Sequence, residues 1–145
     1  MLGLAAVDKD NWRECIALPT SGEHARFVAP NVYSIAEAQF YPKATASCIY
    51  DDAQMIGFAL YGPSEDDPDV FWIDRLMIAE PHRGRGYGRA ALRLILQEAE
   101  ARGYSKVALS TDSENARAIR LYESVGFVAT GEHDGGEAVY RWTAC

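Results

Sequence analysis

Residues 81–90 read PHRGRGYGRA, with glycines at 84, 86 and 88 and arginines at 83, 85 and 89. Apolar stretches lie directly before and after. Glycine allows a backbone to approach a ligand closely because no Cβ intrudes, and exposed main-chain N–H groups at a helix start attract anions with help from the helix dipole. Arginine adds charge-assisted hydrogen bonds to phosphate oxygens. Such a run between a strand and a helix is expected to cradle a phosphate or pyrophosphate. Common phosphate loops do not fit. The dinucleotide fingerprint GxGxxG, begun at Gly84, needs a third glycine where Arg89 stands, and no GxxxxGK followed by Ser or Thr occurs. The spacing that does occur is Arg-x-x-Gly-x-Gly, at Arg83, Gly86 and Gly88.

The elements that must hold this loop are legible in the periodicity. A short strand is expected near Leu2–Ala6, followed by a helix in DNWRECIAL that places Trp12, Cys15 and Ile16 on one face, with Asp10 or Asn11 as cap. PNVYSIAEAQFYP reads as a second short helix bounded by Pro30 and Pro42, with Ser34 and Glu37 matching a capping box. ATASCIYDDAQMIGFALYG reads as strands around an Asp51–Asp52 turn, and DVFWIDRLMI as another strand, which together make an antiparallel meander. After the glycine loop, RAALRLILQEAEARG places Ala91, Leu92, Ile95, Leu96 and Ala99 on one helical face and stops at Gly103. KVALST is a buried-type strand, which after a strand–loop–helix unit implies a parallel crossover. NARAIRLYESVGF is helical with Gly126 past its end, and FVATGEH, the Asp134–Gly135–Gly136 turn and EAVYRWTA form a closing hairpin. The expected order is β α α β β β α β α β β, an α/β sheet of mixed direction.

Composition narrows the partners. A chain of 145 residues with 48% hydrophobic content and no repeat or linker is expected to form one domain, 1–145. Its 14 Lys+Arg against 21 Asp+Glu give a net charge of −7, which disfavours nucleic acid and suits a cationic substrate. The first residues lack a signal-peptide pattern, and no stretch approaches the ~18 apolar residues of a membrane span, so a cytoplasmic protein with no membrane partner is expected. Cys15, Cys48 and Cys145 are never spaced as CxxC, which indicates neither a disulfide framework nor a zinc site. They are read as packing residues or a terminal spectator, and no metal is expected. His24, His82 and His133 form no recognisable arrangement with them for acyl-cysteine chemistry. No HExxH or GxSxG element suggests hydrolysis.

The spacing Arg83, Gly86, Gly88, after a strand ending RLMI and before an amphipathic helix, resembles the acetyl-CoA loop of the GNAT superfamily of N-acetyltransferases. The resemblance covers nearly the whole chain. It implies a mixed, mostly antiparallel sheet of about seven strands flanked by about four helices, with a parallel pair splayed at the cofactor site. It also implies acetyl-CoA as donor and coenzyme A as product. The pantetheine arm would bond along Leu76, Met77 and Ile78, with KVALST as the neighbouring strand. The pyrophosphate would rest on Arg83, Gly84, Arg85, Gly86, Tyr87, Gly88 and Arg89. ENARAIRLYESVGF is similar to the segment in which an asparagine approaches the cofactor and a tyrosine reaches the thioester sulfur; here these are Asn115 and Tyr122. Their separation is about two helical turns, so both point from one face. Asn115 is equally suited to cap the helix, and Tyr122 taken alone suits the core beside Ile119 and Val125. FVAPNVYSIAEAQFYP, WIDRLMI and GYGRAAL resemble the bacterial spermidine/spermine (diamine) N-acetyltransferase branch, which implies a small-molecule polyamine acceptor. Dimers are common in the superfamily, so a homodimer is implied.

That chemistry needs a proton acceptor. An alkyl amine with a pKa near ~10.4 is about one part in a thousand neutral at pH 7.4, a deficit of roughly 4 kcal/mol. A carboxylate, directly or through water, would take the proton, and others would hold the remaining ammonium groups. Asp74 and Glu37 are the candidates; the alternatives are that Asp74 pairs with Arg75 or another cation and that Glu37 is only the capping-box acid. A backbone N–H of Leu76–Ile78 would hold the oxyanion, and the Tyr122 hydroxyl would protonate or hydrogen-bond the departing thiolate. SEDDPD carries Glu65, Asp66, Asp67 and Asp69, which could draw cations toward the site; it is read as a solvated hairpin tip and kept out of the candidate residues. Rival functions are acetyl transfer to an aminoglycoside, an amino acid or a protein N-terminus, and a non-catalytic acetyl-CoA-binding module, which would not need Tyr122.

Overall fold

The computed structural model describes residues 1–20 and 29–145. His24, Phe27 and Val28, which entered the readings above, lie outside the described residues. The strands are β1 (Leu2–Ala6), β2 (Thr45–Asp51), β3 (Gln54–Pro63), β4 (Val70–Ile78), β5 (Lys106–Thr111), β6 (Val128–Asp134) and β7 (Glu137–Thr143). The helices are α1 (Trp12–Ile16), α2 (Asn31–Ala38), α3 (Tyr87–Ala101) and α4 (Ala116–Val125), with a 3₁₀ turn at Glu80–His82. The order along the chain is the expected one. The strands form one seven-stranded sheet in the order β1-β2-β3-β4-β5-β7-β6. Every neighbouring pair is antiparallel except β4–β5, which is parallel because α3 crosses between them.

The apolar stripe of α3 explains which face of the sheet it covers. Ala91, Leu92, Ile95, Leu96 and Ala99 are all buried and join Ile49, Ile56, Phe71, Ile73, Val107 and Leu109 in one core. Side chains alternate across a strand, so the intervening residues serve the other face. There Cys48, Met55, Phe58, Leu60 and Met77 pack with Cys15 of α1 and with Ile35 and Ala38 of α2. β3 is buried along most of its length, as a central strand between two helical layers should be. The closing hairpin turns at Gly135 and Gly136, whose φ values of 57° and 87° are the left-handed pair that a tight two-residue turn requires. Among the described residues no helix is long and apolar enough to cross a membrane.

Local expectations fail at both short helices. No Ser34–Glu37 capping box forms. Pro30 enters with φ −56° and ψ 143° and starts α2 one turn earlier, so the Ser34 N–H is already bonded to the Pro30 carbonyl at 3.2 Å. The buried Ser34 hydroxyl has no partner among the described residues. Asn11 stands at the N-cap position of α1, but its side chain accepts from the Asp8 N–H instead. Asp8 does the capping work, its carboxylate accepting from the N–H groups of Asp10 and Asn11 at 2.8 and 3.0 Å. Of the face expected to pack from α1, Cys15 is buried whereas Ile16 is exposed.

Candidate active site

Parallel pairing of β4 with β5 is confined to Val70↔Lys106, Phe71↔Val107 and Trp72↔Ala108. Both strands run on, but apart: β5 stays with β7 and β4 stays with β3. The separation begins at a bulge. Tyr61 of β3 lies opposite Ile73 and Leu60 opposite Arg75, so Asp74 is the extra, unpaired residue. A bulge bends its strand and increases the local twist, which opens the edge of β4 beyond it.

The parity of the ladder decides which backbone groups face that opening. Ala79 donates to the Ile56 carbonyl at 2.7 Å, so residues 77 and 79 address β3, while Leu76 and Ile78 address the gap. The Ile78 carbonyl is taken by Arg83 Nε at 3.0 Å. The N–H and C=O of Leu76 and the N–H of Ile78 remain for an extended ligand. The side chains do not take part: Met77 is buried under α1 and α2, and Leu76 and Ile78 pack on the α3 side.

At the end of this edge lies the glycine loop. Gly84 and Gly86 have φ of 80° and 81°, and at neither would a Cβ meet any atom within 4 Å. The conformation demands glycine while the space above stays open. Gly86 is the N-cap residue of α3, and no side chain caps the helix. The first intrahelical bond runs from the Ala90 N–H to the Gly86 carbonyl, leaving the N–H groups of Tyr87, Gly88 and Arg89 for an anion. Gly88 has a packing reason as well, since its Cβ would stand 3.3 Å from Leu121 Cδ2 of α4. Arg85 and Arg89 are exposed beside the loop. Arg83 instead ties the loop to β4, and the Tyr87 hydroxyl donates to Asp51 Oδ2 at 2.6 Å.

On α4, Asn115 caps the helix, its Oδ1 accepting from the Ala118 N–H at 3.3 Å. Tyr122, two turns on, is half-buried with its ring 6.0 Å from that of Phe127. Burial, with the negative charge of Glu137 adding, pushes its phenol up to about 12. Glu137 itself accepts from the Ser110 hydroxyl at 2.9 Å.

The opposite side of the opening is a concavity of about 260 Å³. Glu37 of α2, Glu65 and Asp66 of the β3–β4 turn, Asp74 of β4 and Asp134 of β6 line it, with the aromatic rings of Tyr41 and Trp72. Burial pushes the Asp74 carboxyl up to about 6; Arg75 opposes this and the charges of Glu37 and Asp134 reinforce it. The Asp74 residue is nonetheless exposed on the wall of the concavity, so solvent screens the shift and its upward direction is what stands. Arg75 does not clasp the Asp74 carboxylate: its Nη1 donates to the Asp74 main-chain carbonyl at 2.8 Å, and its Nη2 lies 3.8 Å from Glu37 Oε1.

The pattern described by the acetyltransferase (GNAT) family model matches residues 7–127. The chain belongs to that family. Among its relatives, this GNAT chain is 30% identical over 145 aligned positions to the spermine/spermidine N(1)-acetyltransferase of Bacillus subtilis, covering 95% of each chain. Its fold superimposes with a TM-score of 0.81 on an aminoglycoside acetyltransferase in complex with coenzyme A, at 19% identity, covering 99% and 95% of the two chains. A spermidine N-acetyltransferase from Vibrio cholerae, solved with CoA and spermine, gives 0.71 at 18% identity, covering 97% and 92%.

In this GNAT acetyltransferase residues 76–78 lie at the end of β4 past its pairing with β5, residues 83–89 lead into the start of α3, Asn115 and Tyr122 belong to α4 and its cap, and Glu37 and Asp74 line the concavity. Glu65 and Asp66 are exposed, as expected of a hairpin tip, and also line the concavity. Trp72, Arg75 and Asp134 also line it, although the sequence marks Arg75 only as a possible partner for Asp74. Asp134 carried only a turn signal, and Trp72 and Arg75 sat in a run that reads as plain strand. Among the described residues no group of His, Cys, Asp and Glu is placed to hold a metal.

Proposed function

We propose that the protein transfers the acetyl group of acetyl-CoA to a primary amine of a polyamine, by direct attack with both substrates bound. One observation carries the reading: the acidic concavity meets the unpaired edge of β4 at the Asp74 bulge. The chain's residues fit the donor. An uncapped α3 start and open left-handed glycines suit its pyrophosphate, and the free groups of Leu76 and Ile78 suit an extended pantetheine arm. Acetyl-CoA supplies an activated acyl carbon and a thiolate leaving group.

Asp74 takes the proton the amine sheds, directly or through water, since a carboxyl near 6 is better matched to work at neutral pH than an ordinary one. Glu37 and the remaining carboxylates hold the other ammonium groups. The N–H of Leu76 or Ile78 faces the developing oxyanion. Tyr122 offers its hydroxyl hydrogen to the sulfur as the C–S bond breaks, and Asn115 approaches the donor from the same helix face. The relationship to spermine/spermidine acetyltransferase supports the acceptor. A homodimer belongs to the same proposal on the family resemblance, and sedimentation equilibrium reads it.

An aminoglycoside is the second reading, favoured by the similar fold of the aminoglycoside enzyme and by its own multiple ammonium groups. Thiol release from acetyl-CoA, measured against spermidine, spermine, short diamines, an aminoglycoside and a peptide N-terminus, tests both. Polyamines are expected to show the highest kcat/KM. Turnover of the peptide without turnover of any polyamine overturns the acceptor assignment.

The Asp74 carboxyl sets a pH signature. Its folded pKa lies above the ordinary 3.8, so the folded state holds the proton more tightly, and stability is lost as pH rises through roughly 4 to 6. Activity follows the opposite course, because the carboxylate form is the one that accepts the amine proton. Wild-type kcat/KM for the amine should show an acid limb with an apparent pKa near 6. Asp74→Asn should remove this limb and lower the neutral rate roughly tenfold, short of the full general-base contribution because water also accepts the proton. The melting temperature of the variant at pH 8 should not fall. A retained limb assigns the base elsewhere.

A further inference from the structure

Among the described residues that line the acidic concavity, Arg75 carries the one positive charge. It is there because of the bulge. Consecutive strand residues point to opposite faces, but the extra residue at Asp74 brings Arg75 opposite Leu60, on the concavity side with Asp74. The guanidinium is held rather than loose. Its Nη1 donates to the Asp74 carbonyl at 2.8 Å, its Nη2 lies 3.8 Å from Glu37 Oε1, and its buried Nε has no partner among the described residues. An arginine that served only to neutralise the pocket would direct its fork at a carboxylate and satisfy its buried donor. This one spends its best hydrogen bond on its neighbour's main chain and reaches the Glu37 carboxylate only at 3.8 Å.

The carboxylates are distributed differently. Glu37 from α2, Asp74 from β4 and Asp134 from β6 line the concavity together with the guanidinium, and Glu37 Oε1 is 3.8 Å from its Nη2. Glu65 and Asp66 stand at the turn before β4, whose first residue is Val70. From Asp74 to that end of β4 is four residues, roughly 13 Å of strand. A triamine chain of nine bonds, advancing roughly 1.2 Å per bond as extended backbone does, spans about 11 Å. The concavity therefore has a mixed-charge end at the reaction edge and a purely acidic end within the reach of such a chain.

We propose that Arg75 is a specificity-determining residue of the acceptor site: its tethered charge weakens the hold of the nitrogen beside Asp74 on its proton, so that the reacting amine gives it up to Asp74 while the remaining ammonium groups go to Glu65 and Asp66. The inference rests on the polyamine reading above. Attraction by five carboxylates alone would hold a polycation in any register and keep every nitrogen protonated; a cation at one end supplies the repulsive element that selects the register in which the nitrogen beside Asp74 gives up its proton.

The experiment compares Arg75→Gln, Arg75→Lys and Glu37→Gln with the wild type, using spermidine and a simple alkyl monoamine. Arg75→Gln should leave KM for spermidine unchanged or lower, while kcat at pH 7 falls about tenfold and the acid limb of kcat moves up by about one pH unit. Arg75→Lys should restore the limb. Glu37→Gln, which removes the nearest counter-charge, should move it down and raise KM. Damage to structure alone would raise KM and lower kcat with the limb in place. An unmoved limb in a folded Arg75→Gln protein with wild-type acetyl-CoA affinity overturns the proposal, as does a limb that Lys does not restore. If Arg75→Gln fails to fold, the limb in Glu37→Gln decides: a downward shift supports the proposal and none overturns it. The limb is read on whichever amine turns over, so failure of the polyamine reading appears in wild-type rates and failure of the Arg75 assignment appears in the limb.

Discussion

Tyr122→Phe is expected to lower kcat by roughly 10²-fold while leaving both the fold and acetyl-CoA binding in place. The substitution removes one oxygen. Among the described residues the hydroxyl makes no hydrogen bond whose loss would destabilise the core, and the ring keeps its contact with Phe127 at 6.0 Å. The donor would be carried by the glycine loop and the β4 edge, neither of which the change touches. At a pKa of about 12 the phenol keeps its proton throughout the working pH range. An ordinary thiol titrates near about 8.5, so complete transfer to the thiolate runs uphill, and the phenol acts as a charge-assisted hydrogen-bond donor to the developing sulfur anion. Removing one such donor costs roughly 10²–10³ in kcat. The bond matters only as C–S cleavage proceeds, so the loss belongs in kcat and not in KM for acetyl-CoA. Steady-state kinetics, with calorimetry of coenzyme A binding, checks this. A rate within about twofold of wild type makes Tyr122 a core aromatic and leaves water to meet the thiolate.

The two sides of the opening differ in how far they are legible in the sequence. The donor side depends on features contiguous in the chain. The RLMI strand end, the glycines, the apolar stripe of α3 and the Asn115–Tyr122 segment each announce themselves by local period or spacing, and they fall on β4, the loop after it, α3 and α4 in turn. Local spacing could not show that Arg83 and Tyr87 have other partners. The bonds to the Ile78 carbonyl and to Asp51 span 5 and 36 residues. The acceptor side is non-local throughout. Glu37, Glu65, Asp74, Arg75 and Asp134 lie on separate elements or on either side of a register change. VFWIDRLMI carries no mark of the bulge, because a bulge is a relation between two strands and appears only when Leu60 is seen opposite Arg75 and Tyr61 opposite Ile73. The Ser34–Glu37 pattern fails for a related reason. The motif was present, but the helix had already begun, its start imposed by Pro30 and by the Asn31 side chain, which donates to the Cys15 carbonyl at 2.9 Å.

Gly86→Leu is expected to weaken acetyl-CoA binding by about 100-fold, or about 2.7 kcal/mol, with a folded protein. Gly86 has φ 81°, and a Cβ there meets no atom within 4 Å. The protein therefore has room for a side chain, and the direct cost to the fold is the strain of placing an L-residue in the left-handed region, roughly 1–2 kcal/mol. The space the leucine would fill lies at the uncapped start of α3, above the N–H groups that this reading assigns to the pyrophosphate. An apolar side chain there shields the anion site from its ligand and removes the close backbone approach that glycine allowed. Strain and ligand exclusion are separable by a control. Gly103 has φ 94° with nothing within 4 Å of its Cβ position, and it lies beyond the other end of α3. Gly103→Leu should lose comparable stability and keep wild-type affinity. Isothermal calorimetry with coenzyme A and thermal melts of both variants read the two quantities apart. Equal affinities in the two folded variants would move the pyrophosphate off this loop.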